Sequence, residues 1–302
     1  MPGHLNFRNE GTMKEFKGKV AVITGGASGI GRAISQRCVR EGMKVVLADV
    51  NEAELAKAEA ELRATGGTVI SVRTDVARRS DIEALARKTL DTFGAVHLLV
   101  NNAGVAAGST PWEATWNDWE WVIDVNLWGV INGVKVFTPL MLAQNTECHI
   151  VNTASIAGLI AGGTSAPYSV TKHAVVALSE NLYLALEKCN ALVKVSVLCP
   201  AFVETNIANS ERNRPVDLHD EPVEMSPEVQ ASLAFMNAAV KAGIAPLKVA
   251  DQVFEAIKEK RFYILTNPEW TQVIQLRVDN LVRADNPRSA AETVMKIVKL
   301  SK

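Results

Sequence analysis

Short runs of Val, Ile and Leu alternate with longer amphipathic stretches along most of this chain, and that rhythm limits the folds open to it. The apolar runs cover residues 19–24, 44–49, 68–74, 96–101, 149–154, 193–198 and 262–265. A strand with one wet face alternates apolar and polar residues; these runs barely alternate, so both faces are buried. Between them, helical periodicity spans 30–41, 52–65, 81–93, 116–143, 168–187 and 249–260, with Gly42 and the Gly66–Gly67 pair as stops. Strand–helix alternation predicts right-handed crossovers and an α/β fold. The expected architecture is a doubly wound parallel sheet of about seven strands with helices on both faces.

The chain has 302 residues, which taken alone suggests two domains. The unbroken rhythm points instead to one domain over 16–302, preceded by an extension at 1–15. Residues 206–230 lose all period, and a segment at about 206–240 is expected to be a substrate lid. Residues 268–302 read as a helical C-terminal extension, either covering a subunit edge or the site's mouth or standing as a solvated terminal helix. A formal net charge of −1 leaves no basic footprint for nucleic acid or for an anionic membrane surface. No unbroken apolar run reaches the roughly 18 residues a membrane span needs. The first residues lack the apolar core of a secretory signal, so a cytoplasmic location is expected. Cys38, Cys148, Cys189 and Cys199 show no pairing or ligand spacing and read as four reduced core thiols. The five histidines form no cluster, so no metal is expected.

After the first strand comes Thr24-Gly25-Gly26-Ala27-Ser28-Gly29-Ile30-Gly31, with glycines as G-x-x-x-G-x-G. Such a strand-to-helix turn lets backbone amides and a helix N-terminus face a pyrophosphate. Asp49 ends the second strand, 18 residues past Gly31, where a carboxylate can bond both ribose hydroxyls and repel a 2′-phosphate. No Arg or Lys stands at 26–28 or 50–51. These features favour NAD over NADP. Asp75 follows the third strand, either facing an adenine amino group or serving the next helix's N-terminus. Asn101-Asn102-Ala103-Gly104 follows the fourth, at the sheet edge where such folds bind ligands.

Tyr168 and Lys172 stand at i and i+4, on one helical face. Ser155 lies 13 residues upstream at a strand end, and Asn126 in the preceding helix. A free phenol titrates near ~10, too high for a base at neutral pH; an adjacent ammonium and an oxidised nicotinamide favour the phenolate. Together with Thr24–Gly31, Asp75-Val76 and Asn101–Gly104, these residues make the chain resemble the single-domain branch of the short-chain dehydrogenase/reductase family, over residues 16–265. One departure is Pro200-Ala201, where the family commonly has Pro-Gly.

The resemblance implies a Rossmann-type sheet ordered 3-2-1-4-5-6-7. It implies hydride transfer between nicotinamide and a secondary alcohol or ketone, with Tyr168 as general acid–base and Ser155 bonding the substrate oxygen. Lys172 would lower the tyrosine's pKa and bind ribose, and Asn126 would hold a relay water. Gly25, Ser28, Gly29, Ile30, Gly31, Asp49, Asp75, Val76, Asn102, Ala103, Gly104, Pro200, Val203 and Thr205 would join Tyr168 and Lys172 in holding the coenzyme. Residues 132–139 and 206–215 resemble the family's dehydrogenases for bulky aromatic alcohols. A homodimer or homotetramer is implied, packed through helices near 116–143 and 168–187. The tryptophans at 112, 116, 119, 121 and 128 read as core or subunit contacts, with Trp112 a candidate pocket residue. The alternatives are a catalytically silent dinucleotide sensor, and a dehydratase or epimerase on the same fold.

Overall fold

All seven apolar runs become strands of one sheet in the computed structural model, which describes residues 13–160, 165–221, 227–288, 293, 294 and 297. They are β1 (Val20–Thr24), β2 (Lys44–Asp49), β3 (Thr68–Arg73), β4 (Leu98–Asn101), β5 (Cys148–Thr153), β6 (Val193–Cys199) and β7 (Tyr263–Leu265). The order is β3-β2-β1-β4-β5-β6-β7, as expected for a Rossmann-type sheet. Every neighbouring pair is parallel. β1 pairs with β2 on one side (Val22 opposite Val46) and β4 on the other (Val22 opposite Leu99). Strand order reverses there, so the loops leaving β1 and β4 part and open a crevice at the carboxyl edge.

The unbroken apolar runs are explained by the two cores. Ala21 and Ile23 of β1 pack on one side with Ile34, Phe254 and Ile257. Val22 points the other way, among Ile82, Leu85, Phe137 and Met141. The first core is roofed by α1 (Gly29–Arg40), α2 (Glu52–Ala64) and, further along the chain, α8 (Pro246–Glu259). The second is roofed by α3 (Arg79–Phe93), α5 (Gly129–Ala143) and α6 (Ala166–Lys188), while α4 (Trp116–Ile123) buries Trp121 and Val122 in a smaller cluster. Full burial of each such side chain is worth about 1.5–3 kcal/mol, so both faces contribute to holding the sheet.

The expected single helix over 116–143 is not uniform. Between α4 and α5 lies a π-helical turn, Asp124–Trp128, with Asn126 fully buried inside it. Such turns add a residue and re-aim a side chain. The run Trp116–Ala143 is long and apolar enough to cross a membrane by length and composition. Here it is a core helix linking two adjacent parallel strands, with Val122, Val130, Phe137 and Met141 buried.

Residues 206–221 form 3₁₀ turns at Ile207–Asn213 and Val216–Leu218, and α7 (Pro227–Lys241) follows. The aperiodic region thus holds more helix than its composition suggests. In the C-terminal extension, a 3₁₀ turn at Pro268–Trp270 leads into α9 (Thr271–Val282). The expected N-terminal extension falls, up to residue 12, outside the described residues. One cysteine corrects the expectation of four core thiols: Cys38, Cys148 and Cys199 are buried, but Cys189 is exposed at the C-terminal cap of α6, where the helix emerges from the core.

Candidate active site

The turn after β1 is folded tightly against the end of β4. Gly25 takes φ +62°, and a Cβ there would lie 2.9 Å from Ala103 Cα. A Cβ on Gly31 would lie 2.2 Å from the Gly25 carbonyl oxygen and 2.6 Å from Asn102 Nδ2. The pattern of glycines is therefore a packing requirement as well as a turn requirement. Thr24 stitches the two strand ends together. Its Oγ1 accepts from the amides of Asn102 (2.9 Å) and Ala103 (3.1 Å), while Asn102 Nδ2 donates to Thr24 O (3.1 Å). Asn102 thus holds the walls of the crevice in place besides lining it.

α1 begins at Gly29 with Ser28 as its N-cap, and the cap's side chain makes no hydrogen bond. The helix N-terminus opens toward the cavity, with Ser28, Gly29 and Ile30 in its wall. Asp49 stands at the tip of β2, where Oδ2 accepts from Ala27 N (3.1 Å) and Oδ1 from Asn51 N (3.1 Å). Asp75 lines the cavity, and its Oδ1 accepts from Ala77 N just before α3 (3.1 Å). Val76 lines the cavity too, and a Cβ on Gly129 would meet it at 2.7 Å.

The four candidate catalytic residues come from three elements. Ser155 follows β5, and its hydroxyl caps a 3₁₀ turn by accepting from Ala157 N (3.1 Å). Tyr168 lies in the first turn of α6, whose cap Ser165 accepts from Tyr168 N (3.3 Å) and donates to Ala107 O (2.5 Å). Lys172 lies one turn on, with Nζ donating to Thr153 O (3.0 Å) and 5.4 Å from the Tyr168 ring centroid. Asn126 faces the loop after β4. Its Oδ1 accepts from Val105 N (2.8 Å), and its Nδ2 donates to Val105 O (2.9 Å). Gly104 leaves open the space between Asn126 and Lys172, since a Cβ there would lie 3.3 Å from Asn126 Oδ1 and 3.5 Å from Lys172 Nζ.

Burial governs the protonation of this group. It pushes the Tyr168 phenol up from its ordinary value of 10.0, against a hydrogen bond from Ser155 that favours the phenolate. It pushes the Lys172 ammonium down to about 8. The net direction for the phenol is upward, because burial outweighs the Ser155 hydrogen bond.

Ser155, Tyr168, Lys172, Asp49 and the glycine turn all face one cavity of about 630 Å³ at the carboxyl edge of the sheet. Asp75, Val76, Asn102, Ala103, Gly104, Pro200, Val203 and Thr205 join its wall. Gly31 and Asn126 do not; they lie behind it and fix its shape. Ala201, at the departure from Pro-Gly, needs no left-handed backbone, and its amide donates to Thr266 Oγ1 (3.3 Å). The Cβ-free cradle at a helix N-terminus, with a carboxylate at the tip of β2, fits an extended dinucleotide.

Several contributing residues escape the sequence patterns. Trp121, buried, lines the cavity, whereas Trp112 is 81% exposed and does not, because it sits outside α4 on the loop before it. Trp116 and Trp128 are exposed as well, so neither is core. Leu218 and Ser210, from the segment after β6, also line the cavity, and Ser210 Oγ accepts from Ala106 N (3.1 Å). No single motif marks them. Among the described residues, no His, Cys, Asp and Glu group is placed to hold a metal.

Comparison with known proteins agrees with this geometry. The family model for short chain dehydrogenases matches residues 19–215. The CLA biosynthesis dehydrogenase/reductase of Lactiplantibacillus plantarum is 34% identical over 91% of this chain and 97% of that protein. The C alpha-dehydrogenase of Sphingobium sp. is 35% identical over 85% and 83%. A short chain dehydrogenase/reductase from Burkholderia phymatum, solved in complex with NAD, superposes with a TM-score of 0.89 at 48% identity, covering 92% of this chain and 99% of that one. The chain is thus an oxidoreductase with a nicotinamide cofactor, and it belongs to the short-chain dehydrogenase/reductase family.

Proposed function

We propose that this protein is an NAD-dependent dehydrogenase that interconverts a secondary alcohol and its ketone, with a bulky apolar or aromatic group on the carbinol. The observation that carries the proposal is the convergence of Ser155, Tyr168 and Lys172 on the cavity that also presents Asp49. Asp49 would accept from the adenosine ribose hydroxyls, and its charge, with no Arg or Lys at 26–28 or 50–51, disfavours a 2′-phosphate. The α1 N-terminus would face the pyrophosphate. The nicotinamide, when bound, supplies or accepts the hydride.

Tyr168 takes the hydroxyl proton in oxidation and returns it in reduction. Ser155 donates to the substrate oxygen and stabilises its developing charge. Lys172 holds positive charge beside the phenol and the ribose. Because burial lifts the phenol, the charge of an oxidised nicotinamide is needed with Lys172 to bring it into range. Asn126 holds the loop carrying Val105, and its turn supports a proton relay from Lys172. Trp121, Leu218 and Val105 give the substrate region an apolar wall. A relative named as a 1-deoxy-11-beta-hydroxypentalenate dehydrogenase, 34% identical, supports a hydroxyl-bearing substrate. Four unpaired cysteines suit work in the reducing cytoplasm.

The test is a panel of aromatic and alicyclic secondary alcohols with NAD and with NADP, followed by reduced-nicotinamide absorbance. Turnover with NAD, best with ring-bearing alcohols, is expected. Silence across the panel, with NADH still bound, would favour a dinucleotide sensor. Substrate conversion without net coenzyme change would favour a dehydratase or epimerase.

A further inference from the structure

A buried arginine fastens the segment after β6 to the first turn of α4. The Arg214 side chain is only 6% exposed. Its guanidinium donates to Asp118 Oδ1 (2.9 Å), Asp220 Oδ2 (3.3 Å) and Glu211 Oε1 (3.2 Å). It also lies over the Trp121 ring, 5.0 Å from the centroid. A cation this buried is held only where its partners replace water. Asp118 does two jobs at once: Oδ2 accepts from Thr115 N (3.1 Å), closing a capping box on α4, while Oδ1 holds Arg214. Asp220 is itself held by Thr115 Oγ1 (2.6 Å) and Asn117 Nδ2 (2.8 Å). The helix cap is thus also a dock for the segment.

What the dock holds matters for the reaction. Trp121 carries the guanidinium on its ring and also lines the cavity. Leu218, four residues past Arg214, packs with Tyr168 against the cluster of Val105, Trp121 and Val122. We propose that Arg214 is a positioning residue: its fork fixes Trp121 and Leu218 as an apolar wall beside Tyr168, and so sets affinity for the apolar substituent of the substrate. Arg214 does not line the cavity and touches no reacting group. The effect on affinity rests on the catalytic role proposed for Tyr168; the fastening itself does not.

Two measurements separate these. The first is hydrogen exchange of amides 207–218 in the full chain, unmutated and as Arg214→Met. Exchange at least about tenfold faster in this segment, with β1 unchanged, is expected. The second is kinetics with NAD on 1-phenylethanol and 2-propanol. Arg214→Met is expected to raise KM for 1-phenylethanol about tenfold while changing kcat for 2-propanol less than about twofold; Arg214→Lys, which keeps the charge but loses the fork, is expected to lie between. Should Arg214→Met not fold, Asp220→Asn carries both measurements. Unchanged exchange at 207–218, or acceleration spread equally over the sheet, would overturn the proposal, as would an equal loss with both alcohols. Failure of the unmutated protein to oxidise either alcohol would count against the dehydrogenase role alone, and the exchange result would still decide the fastening.

Discussion

At the scale of single residues, Asp49 and Lys172 carry opposite charges to opposite ends of one cavity. Asp49 already accepts from two backbone amides, so its carboxylate is oriented before any ligand arrives. Losing a charge-assisted bond to ribose costs about 1.5–3 kcal/mol, or roughly ten- to a hundredfold in affinity. Asp49→Ala is therefore expected to weaken NADH by that factor and to narrow the gap to NADPH, as read by fluorescence titration of both coenzymes. Tighter NADPH than NADH binding by the unmutated protein would contradict the assignment. Lys172 gives a pH signature. Its folded value is about 8 against an unfolded 10.5, so between those limits the unfolded chain holds a proton that the folded one does not. Stability from this group rises with pH across that window, by up to about 3 kcal/mol. Lys172→Met is thus expected to be the more stable protein at pH 7 and to lose that advantage by pH 10, in paired denaturant melts. That Tyr168, Lys172 and Asp49 would meet at one cavity was legible in their helical spacing and strand-end placement. Arg214 and Ser210 were not, since their partners Asp118 and Ala106 are about a hundred residues away in sequence. The Thr115–Asp118 capping box is local, but nothing local ties it to an arginine.

At the scale of elements, the sequence showed where strands and helices run but not how they are interrupted. The π turn at Asp124–Trp128 has no signature in propensity, because Asp-Val-Asn-Leu-Trp continues the helical pattern on both sides. Its position follows from tertiary contact, with Asn126 drawn onto the backbone of Val105. Likewise, the sequence offered a subunit edge or the site's mouth for the C-terminal extension but not the side chains it meets. Trp270 and Val273 pack with Ile156 and Ile160, just beyond Ser155, and Trp270 meets Phe202 edge-on at 5.6 Å. The extension thus buttresses the turn that follows Ser155. Trp270→Ala is expected to cost about 3–5 kcal/mol in a thermal or denaturant melt. It is also expected to lower kcat more than it weakens NADH binding, since the coenzyme contacts proposed at the ends of β1 and β2 lie elsewhere. Loss of stability with kcat unchanged would leave the extension a purely structural element.

At the scale of the whole molecule, one seven-stranded sheet gathers the proposed coenzyme and catalytic residues along a single edge. Near-continuous strands made that architecture readable, because burial on both faces leaves few other solutions. The exposed side of α6 shows a further feature. Val170, Ala177 and Leu184 stand seven residues apart and all are exposed, with Leu184 at 65%. An apolar stripe at that spacing is the kind of seam helices use to pack on one another. A homo-oligomer formed through α6 is the arrangement we propose, and Leu184→Glu is expected to lower the mass seen by sedimentation velocity. An unmutated protein that sediments as a monomer would contradict it.

The most direct test of the central claim removes one oxygen atom. Tyr168→Phe keeps the ring that packs with Leu218 and Val105 but deletes the hydroxyl proposed to transfer the proton. NADH affinity and alcohol oxidation are measured on the same preparations. The account predicts an NADH Kd within about twofold of the unmutated protein and turnover lowered by at least about 10²–10⁴-fold, the usual worth of a general acid–base. Turnover retained at a comparable rate would contradict it.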